Sequence, residues 1–495
     1  MNVTMQRVVI NAIGMEKRTA LMENEKLVEC AVHRPTKSPL TGNIYKGKVQ
    51  KVLPGMQAVF VEIGTSKNGF LHKDDLPAYQ QLSREEQKKV SISNLIKEGE
   101  SILVQVVKEE TGDKGVKLTA LISFTGHLLV YFPFTPHIGI SKKIKESQRT
   151  KLQEWGDSIM GDNEGLIIRT GCEEFPEVEM NQELENLRRQ LEEVQKSFDS
   201  KKAPALLVQP HFFYPLLERW LNQNVEEILV DDYDTYHQVK EYAASFQNPF
   251  KVKLYNEKEP LFRKLGIETD IEKTLSPLVW LKNGSSLYFN VTEALTVIDV
   301  NTGKFTGKKD RSKTVVETNK IAAKEIMKQL RLRNIAGMIV IDFITMQSNE
   351  DKEQINKILR EALKNDPNTT ILHGFTKMGL FEMTRKKERP SLLETLATKY
   401  DRHMMDGYIL RPETFYYEME RILKEYTYED DEALWIEVPR HYSDWLKKNP
   451  EKLKFLENQH GISVIVSTGS SNREMTVRQS GKIDEIRSRM LKDSH

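Results

Sequence analysis

The chain has 495 residues, 39% of them hydrophobic and 29% charged, a composition typical of a globular protein with roughly three to five domains. A net charge of only +1 excludes a uniformly basic surface, so any contact with a polyanion must come from local patches. Two distant cysteines, Cys30 and Cys172, exclude a disulfide framework, and no run of about 18 apolar residues predicts a membrane helix. The N-terminus lacks an apolar signal core, so we expect a cytoplasmic protein without a membrane anchor.

Residues 1–40 contain short alternating runs that predict β-strands, at Arg7–Ala12 and Lys26–Val32, but they are too few to complete a fold. A later apolar run ends in two adjacent acids, Asp231 and Asp232. Acids at the end of a strand either bind a metal ion or cap the next turn, and the sequence leaves both interpretations open here.

Residues 41–122 predict a small barrel of the OB type, because five short β-rich runs are separated by turn residues. The runs are Ile44–Leu53, Ala58–Ile63, Gly69–Leu71, Ser101–Val107 and Gly115–Ile122. Aromatic and basic residues alternate along the segment, and single-stranded RNA is bound by this mixture of stacking faces and cations. They are Tyr45, Phe60 and Phe70, with Lys46, Lys48, Lys51 and Lys114. Aromatic residues of a small barrel also form its core, so the pattern alone permits either role.

Residues 123–207 contain an apolar strand, 165–168, that runs into the turn Arg169-Thr170-Gly171. Backbone N–H groups, a hydroxyl and a guanidinium at one turn suit a terminal phosphate, although an ordinary exposed turn has the same composition. The next segment repeats apolar residues at helical spacing, which predicts an amphipathic helix packed on its own domain. These residues are Met180, Leu184, Leu187, Leu191, Val194 and Phe198.

Two buried strands are predicted at Leu295–Asn301 and Met338–Phe343, and each carries an aspartate at or next to its end. The amphipathic segment Ser312–Arg333 between them predicts a helix, so the two strands are expected to be neighbours with Asp299 and Asp342 close together. Adjacent carboxylates repel each other unless a proton or a divalent cation lies between them, and Mg²⁺ prefers oxygen ligands.

The segment that connects these strands is basic. Its cations are Lys304, Lys308, Lys309, Arg311, Lys313, Lys320, Lys324, Lys328, Arg331 and Arg333. Acids for a metal ion beside bases for phosphates favour a phosphodiester-cleaving site. The alternative is that each aspartate only caps the end of its strand.

Four motifs in this region closely resemble the catalytic domain of the ribonuclease E/G family. They are Glu-Ala-Leu-Thr-Val-Ile-Asp-Val-Asn at 293–301, Gln-Leu-Arg-Leu-Arg at 329–333, Gly-Met-Ile-Val-Ile-Asp-Phe-Ile at 337–344 and Gly-Leu-Phe-Glu-Met-Thr-Arg at 379–385. The resemblance implies an endoribonuclease specific for single strands, in which Asp299 and Asp342 hold one Mg²⁺ and Asn301 supports the site by hydrogen bonding.

The resemblance also implies a domain order for this mixed α/β multidomain chain. It gives an RNase H-like structural subdomain (1–40 with 208–278), an inserted OB-fold RNA-binding barrel (41–122), a 5′-phosphate sensor (123–207), a DNase I-like catalytic sandwich (279–396), a linker (397–405) and a small C-terminal α/β domain (406–495). The C-terminal elements predicted from pattern are Glu432–Val438, a helix over Trp445–Leu456, Ile462–Val466 and Met475–Arg478.

Further roles follow from the same resemblance. Phe60, Phe70 and Lys114 fall on positions that grip the RNA, and Arg169 and Thr170 fall on the pocket that senses a 5′-monophosphate. Lys377 stands where the family commonly has arginine. Lysine has the same charge but lacks the planar guanidinium that binds phosphate bidentately.

A second departure concerns zinc. Relatives usually carry a Cys-Pro-x-Cys link between two subunits, but 396–405 here contains no cysteine. We therefore predict no structural zinc, and any homodimer is expected not to be zinc-linked.

The function predicted from these observations is Mg²⁺-dependent cleavage of A/U-rich single-stranded RNA, such as ribosomal precursors or messenger RNA, leaving 5′-phosphate ends and favouring 5′-monophosphorylated substrates. The alternative is a non-catalytic protein that binds A/U-rich RNA. A scaffold for other processing enzymes is disfavoured because no long charged disordered tail is present.

Overall fold

A computed structural model describes most of the chain. The described residues are 6–35, 40–110, 114–126, 128–142, 144–161, 163–169, 172, 176–221, 225–244, 250–302, 311–364, 366–399, 408–426, 431–469 and 474–493. The chain forms two compact units: a larger unit of 1–35, 223–240 and 250–495, and an inserted unit of 36–222 and 241–249.

The inserted unit begins with the predicted barrel. Its five strands are Ile44–Leu53, Ala58–Glu62, Gly69–His72, Ser101–Lys108 and Lys117–Thr119. Pairing of the first of these strands with the fourth closes the sheet into a barrel, so all five predicted strands and the closed OB-type architecture are confirmed. Alternation along each strand sends Val59, Val61 and Leu71 into the barrel core. Short helical segments on the barrel are Pro54–Met56, Lys73–Asp75, Pro77–Gln80, Arg84–Lys89 and Ile92–Asn94.

A second sheet of the inserted unit has four strands in the order Ile138–Ile140, Gly165–Ile168, Leu129–Phe132 and Phe124–Thr125. The helices of this part are Glu146–Ile159, Glu177–Ser200 and Tyr214–Leu221. Met180, Leu184, Leu187 and Val194 of the long helix are buried in the core under this sheet, as the helical spacing predicts. After it, Ala205–Val208 pairs with the first barrel strand.

The larger unit contains a five-stranded sheet whose strands come from distant parts of the chain. Their order is Lys251–Leu254, Val225–Val230, Gln6–Asn11, Lys17–Glu23 and Lys26–His33. The N-terminal strand Gln6–Asn11 runs parallel to Val225–Val230, so the runs that look incomplete in the sequence are completed by a segment more than 200 residues later. Helices that follow these strands are Tyr233–Ala244, Leu261–Lys264 and Ile267–Thr274.

The sheet that holds the two aspartates, here called the carboxylate sheet, also belongs to the larger unit. Its six strands lie in the order Leu278–Trp280, Ser286–Val291, Leu295–Asn301, Gly337–Asp342, Phe381–Arg385 and Thr370–Phe375. Helices Arg311–Arg333 and Asn349–Leu363 pack on one face and bury a continuous apolar core. The predicted strand-helix-strand unit is therefore confirmed.

The chain continues into a C-terminal part through Leu392–Leu396 and a two-stranded pair, Ala397–Lys399 with Tyr408–Leu410. Most of the position where relatives carry the zinc link, 400–405, lies outside the described residues. The C-terminal elements are Pro412–Tyr426, Ala433–Val438, Arg440–Lys448, Pro450–His460, Ser463–Thr468, Thr476–Gly481 and Ile483–Asp493.

The single helix predicted over Trp445–Leu456 is wrong, because the chain forms two helices there. Pro450 has no N–H to donate to the preceding turn, and it begins the second helix at its first position. None of the described helices is both long and apolar enough to cross a membrane.

Candidate active site and nucleic-acid interface

The two predicted carboxylates lie side by side on neighbouring strands of the carboxylate sheet. Leu295–Asn301 runs parallel to Gly337–Asp342, and Asp299 is paired directly with Asp342. Adjacent strands lie about 4.8 Å apart and paired residues point to the same face of a sheet. The predicted juxtaposition of the two aspartates is therefore present.

Both aspartates lie on the solvent-exposed face of this sheet, here called the open face. Ile298 and Ile341, which precede them, are fully buried in the core on the helix-covered side. Because side chains alternate along a strand, the aspartates emerge on the opposite side. Asp342 is exposed and Asp299 is half-buried, so a polymeric substrate can reach both.

Asn301 lies two residues beyond Asp299 on the same face. Its Nδ2 donates a hydrogen bond of 2.7 Å to the Asp299 Oδ2. This bond orients the Asp299 carboxylate, because an amide N–H donates to one defined oxygen of the group. Asn301, for which a supporting role is predicted, is therefore in direct contact with Asp299.

The donor set of the site suits an ion that keeps most of its water. Among the described residues, no three His, Cys, Asp or Glu side chains form a cluster able to enclose a metal ion. Mg²⁺ is commonly held by one or two carboxylates while waters and substrate phosphates complete its shell. Asp299 and Asp342 fit that pattern of coordination.

Lys377 lies at the same end of the sheet as the aspartates. It is exposed in the turn that joins Thr370–Phe375 to Phe381–Arg385. Ile341 is paired with Phe381, so the turn before Phe381 lies beyond the end of the strand that carries Asp342. The turn that carries Lys377 therefore lies at the end of the sheet that holds the carboxylate pair.

Two arginines of the basic segment between the strands have structural partners. Residues 303–310 lie outside the described part of the chain. Arg331 is 7% exposed and forms salt bridges with Glu29 and Glu23, so it is a structural residue. Arg333 is also 7% exposed, lies 4.8 Å from the ring centre of Phe289, and donates to the Ser276 carbonyl. The prediction that these two arginines bind phosphate is wrong.

The outer surface of the barrel carries a row of cations and aromatic rings. Phe60 and Phe70 are paired on adjacent strands, with ring centres 6.2 Å apart in an edge-to-face arrangement. Lys51 is paired with Phe60, and Lys117 is paired with Phe70. All four side chains lie outside the barrel because their neighbours Val59, Val61 and Leu71 point into its core. The row combines stacking faces with positive charge, as single-stranded nucleic acid requires.

Two details of the barrel differ from what the sequence indicates. Tyr45 is only 5% exposed and belongs to the barrel core, where its hydroxyl accepts a hydrogen bond from Asn43. It is therefore not a stacking residue. Lys114 is exposed. The next residue, Gly115, approaches the Asn68 carbonyl so closely that an added Cβ would lie 2.1 Å from the oxygen, so a side chain there would displace the loop that carries Lys114.

Arg169 lies directly after the strand Gly165–Ile168 and is half-buried. Its Nη1 donates to the Gly126 carbonyl at 2.7 Å, and its backbone N–H donates to the Leu128 carbonyl at 2.8 Å. The first bond fixes the guanidinium against the segment that precedes the strand Leu129–Phe132. Thr170 lies outside the described residues.

The rival acids Asp231 and Asp232 both serve local structure. Asp231 is buried and accepts hydrogen bonds from the Asn11 side chain and from the Ala12 and Ile13 backbone. Burial raises the pKa of Asp231, although these bonds oppose the change. Asp232 accepts from the Thr235 N–H and hydroxyl at the start of the helix Tyr233–Ala244. Asp231 bonds to the end of the neighbouring strand and Asp232 caps a helix, so this location does not support a metal site.

The sequence matches two family models and known ribonucleases. Residues 123–388 match the model of the ribonuclease E/G family, and residues 38–120 match the S1 RNA binding domain. The chain is 37% identical over 422 residues to Ribonuclease G of Haemophilus influenzae, which covers 83% of this chain and 86% of that protein. It is 34% identical over 439 residues to Ribonuclease G of Escherichia coli, covering 86% and 89%.

Ribonuclease E of Haemophilus influenzae is 33% identical over 473 residues, which is 94% of this chain and 50% of that protein. A closed RNA-binding barrel joined to a module matched by a ribonuclease family defines an enzyme of the ribonuclease class. The chain belongs to the ribonuclease E/G family, as its sequence motifs predict.

Proposed function

We propose that this chain is an endoribonuclease that hydrolyses single-stranded RNA at Asp299 and Asp342 with the help of Mg²⁺. The observation that carries the proposal is the direct pairing of the two aspartates on the open face, with Asn301 bonded to one of them. Two adjacent carboxylates repel a phosphate backbone unless a cation lies between them. A protein that only binds RNA gains nothing from that arrangement.

The residues of the chain have separate roles in this proposal. Asp299 and Asp342 hold the ion, which when bound supplies an acidified water and neutralises charge on the phosphate. Asn301 keeps the Asp299 carboxylate oriented through its hydrogen bond. Lys377 stabilises the negative oxygens of the phosphate as a point charge at the same end of the sheet. Cleavage of the P–O3′ bond leaves a 5′-phosphate and a 3′-hydroxyl.

The barrel holds the RNA in the same proposal. Phe60 and Phe70 stack on unpaired bases, while Lys114 contacts the backbone. The paired arrangement of the two rings on the outer surface supports this role. We propose A/U-rich single-stranded RNA as the substrate, within ribosomal precursors or messenger RNA.

Arg169 and Thr170 form a 5′-monophosphate sensor in the proposal. The half-buried, anchored guanidinium of Arg169 supports it, because a preoriented arginine binds phosphate bidentately. The test compares cleavage of 5′-monophosphate and 5′-hydroxyl forms of one RNA by the wild type, Arg169→Gln and Arg169→Lys. We expect the preference for the monophosphate to disappear in the glutamine variant and to persist in part with lysine. The exposed Arg189 offers a matched control, Arg189→Gln, which should keep the preference.

We assign the five-stranded sheet of the larger unit to an RNase H-like subdomain and the carboxylate sheet to a DNase I-like domain, with the boundaries stated above. The free, buried thiols of Cys30 and Cys172 are consistent with a reducing cytoplasm as the location. Any homodimer forms without zinc, so its mass by light scattering should not change when EDTA is added.

The central experiment measures cleavage of a short A/U-rich RNA with a 5′-monophosphate in Mg²⁺ or EDTA. Wild type and the control Glu353→Gln, whose side chain is exposed on a helix of the opposite face, should cleave internally in Mg²⁺ only. Asp342→Asn should bind the RNA and not cleave it. Tight binding without cleavage by the wild type in any divalent metal would contradict the proposal and support a non-catalytic RNA-binding protein.

A further inference from the structure

Two large aromatic side chains are exposed on the open face beside the aspartates. Trp280 is 70% exposed and Tyr288 is 40% exposed. Neither ring contacts another described aromatic ring. Their neighbours along the strands, Leu281, Leu287 and Phe289, are buried in the core. Both rings therefore point away from the apolar side of the sheet. Exposed rings of this size beside a site are candidates for ligand contact.

The strand register places both rings next to the proposed site. Tyr288 is paired with Asp299, which is paired with Asp342, so the three side chains form one row across the sheet. Trp280 is paired with Ser286, and Ser286 is paired with Asn301. With adjacent strands about 4.8 Å apart, the backbone of Tyr288 lies about 5 Å from that of Asp299. Trp280 lies about two strand spacings from Asn301, or about 10 Å.

The aromatic pair lies on the side of the aspartates opposite to Lys377. Lys377 belongs to the turn between the two strands beyond Asp342, whereas the strands of Tyr288 and Trp280 lie beyond Asp299. Across the sheet the order is therefore the turn that carries Lys377, then the two carboxylates, then the two aromatic rings. This order suits one strand of RNA crossing the sheet, with a phosphate at the carboxylates and bases on the rings.

A second copy of the chain fits this face less well. Asn290, Asn301 and both aspartates are at or near the surface of this face, although the exposed Leu278 lies beside Tyr288. A protein partner seated there would desolvate two adjacent carboxylates, which is costly without a cation. An RNA strand with its bound ion avoids that cost. The family of the chain indicates RNA as the ligand, and the proposed function puts the scissile phosphate at the two aspartates of this face.

We propose that Trp280 and Tyr288 form a nucleobase-stacking subsite that binds bases next to the scissile phosphate, on the side away from Lys377. The proposal rests on the proposed function, because it takes Asp299 and Asp342 as the position of that phosphate. Stacking tolerates any base because every base has a π-face. The subsite therefore increases RNA affinity and positions the strand, and it contributes little to base specificity.

The first test measures binding of a short single-stranded RNA in the cleavage-deficient Asp342→Asn background. Trp280→Ala and Tyr288→Ala should each raise Kd by roughly 5- to 100-fold, the effect of losing one stacked base. Trp280→Phe and Tyr288→Phe should keep most of the affinity, because they keep a ring. The control is Phe455→Ala, which removes an exposed aromatic ring from a C-terminal helix and should leave Kd unchanged.

A second test identifies the stacked nucleotide. The wild-type cleavage position is mapped, and single abasic nucleotides are then placed in turn on each side of it. At one position, an abasic nucleotide should weaken binding to the protein that keeps Trp280. The same nucleotide should cause no further loss with Trp280→Ala, because the missing base and the missing ring belong to one contact. Equal losses from the abasic nucleotide with and without the tryptophan would overturn the proposal.

The outcomes separate this proposal from the function on which it rests. If wild type cleaves and Asp342→Asn does not, while the alanine variants bind normally, the subsite is wrong and the nuclease assignment stands. If Asp342→Asn cleaves like the wild type, the assignment of the phosphate position fails. If Trp280→Ala and Tyr288→Ala convert a dimer to a monomer by light scattering with unchanged Kd, the rings form a protein interface and the proposal is rejected.

Discussion

Arg385 forms a bidentate ion pair with Asp366 inside the larger unit, which also carries Asp299 and Asp342. Its Nε and Nη2 donate to the two carboxylate oxygens at 2.8 and 2.9 Å, and its Nη1 donates to the Ile335 carbonyl at 2.9 Å. Both side chains are almost completely buried. The pair thus ties the strand Phe381–Arg385 to the turns that precede the two strands beside it.

We expect Arg385→Met to destabilise the larger unit by about 3–5 kcal/mol, because it leaves the Asp366 carboxylate buried without its partner. The measurement is the midpoint of chemical unfolding, monitored with a signal that reports on the larger unit. Arg360→Met is a suitable control, since its ion pair with Glu353 is exposed and worth less than about 1 kcal/mol. Similar midpoints for the two variants would show that the buried pair adds little.

Asn301 should affect catalysis through the orientation of Asp299. We expect Asn301→Ala to reduce cleavage by roughly 10- to 100-fold while RNA affinity in the absence of cleavage stays the same. The variant should also need more Mg²⁺ for half-maximal rate, because a freely rotating carboxylate holds an ion less well. Asn290→Ala removes an exposed amide from the same face and should change neither quantity. An unchanged Mg²⁺ requirement in Asn301→Ala would contradict this role.

The paired rings on the barrel should contribute to RNA affinity. Phe60→Ala and Phe70→Ala are each expected to cost about 1–3 kcal/mol of binding free energy, the usual effect of losing a stacked base. Because the rings contact each other, the double variant should lose less than the sum of the two. Fluorescence anisotropy with a short RNA measures these effects. Tyr45→Phe alters a buried core residue and should bind RNA like the wild type, whereas a large loss there would mean that Tyr45 faces the ligand after all.

Acid should weaken the larger unit through Glu268. Burial alone would raise the pKa of this carboxyl, but the adjacent Arg18 guanidinium and Arg421 more than offset it and lower the pKa to about 2. A carboxyl whose pKa is lower in the folded state contributes stability above its ordinary pKa near 4.5. That contribution is therefore lost as the pH falls from about 4.5 towards 2.

The measurement is the unfolding midpoint of wild type and Glu268→Gln between neutral and acidic pH. The wild type should be more stable at neutral pH, and the difference between the two should shrink as the pH falls through this window. A difference that is constant with pH would assign the stabilisation to packing and not to the charge.

Local patterns were sufficient to predict the elements that hold the site. Apolar alternation and a helical stripe between two strands define a strand-helix-strand unit, and its short connections make the strands neighbours. Asp299 and Asp342 were therefore predicted to meet, and they do. The barrel strands followed from the same kind of local signal, since turn residues mark where each strand ends.

Contacts between distant residues decided the roles of charged and aromatic side chains. Arg331 is structural because Glu29 lies beside it, 302 positions earlier in the sequence. Asp231 is structural because Asn11, 220 positions earlier, donates a hydrogen bond to it. A hydrogen bond or ion pair acts only over a few ångströms, so no local pattern shows which distant group will supply the partner.

The faces of the sheets were decided in the same way. Alternation shows that Phe60 and Val61, or Tyr288 and Phe289, point to opposite sides, but not which side is covered. The closing of the barrel and the packing of two helices on the carboxylate sheet cover one side of each. Those events bury Val61 and Phe289 and leave Phe60 and Tyr288 at the surface, because burial depends on which elements fold back over a strand.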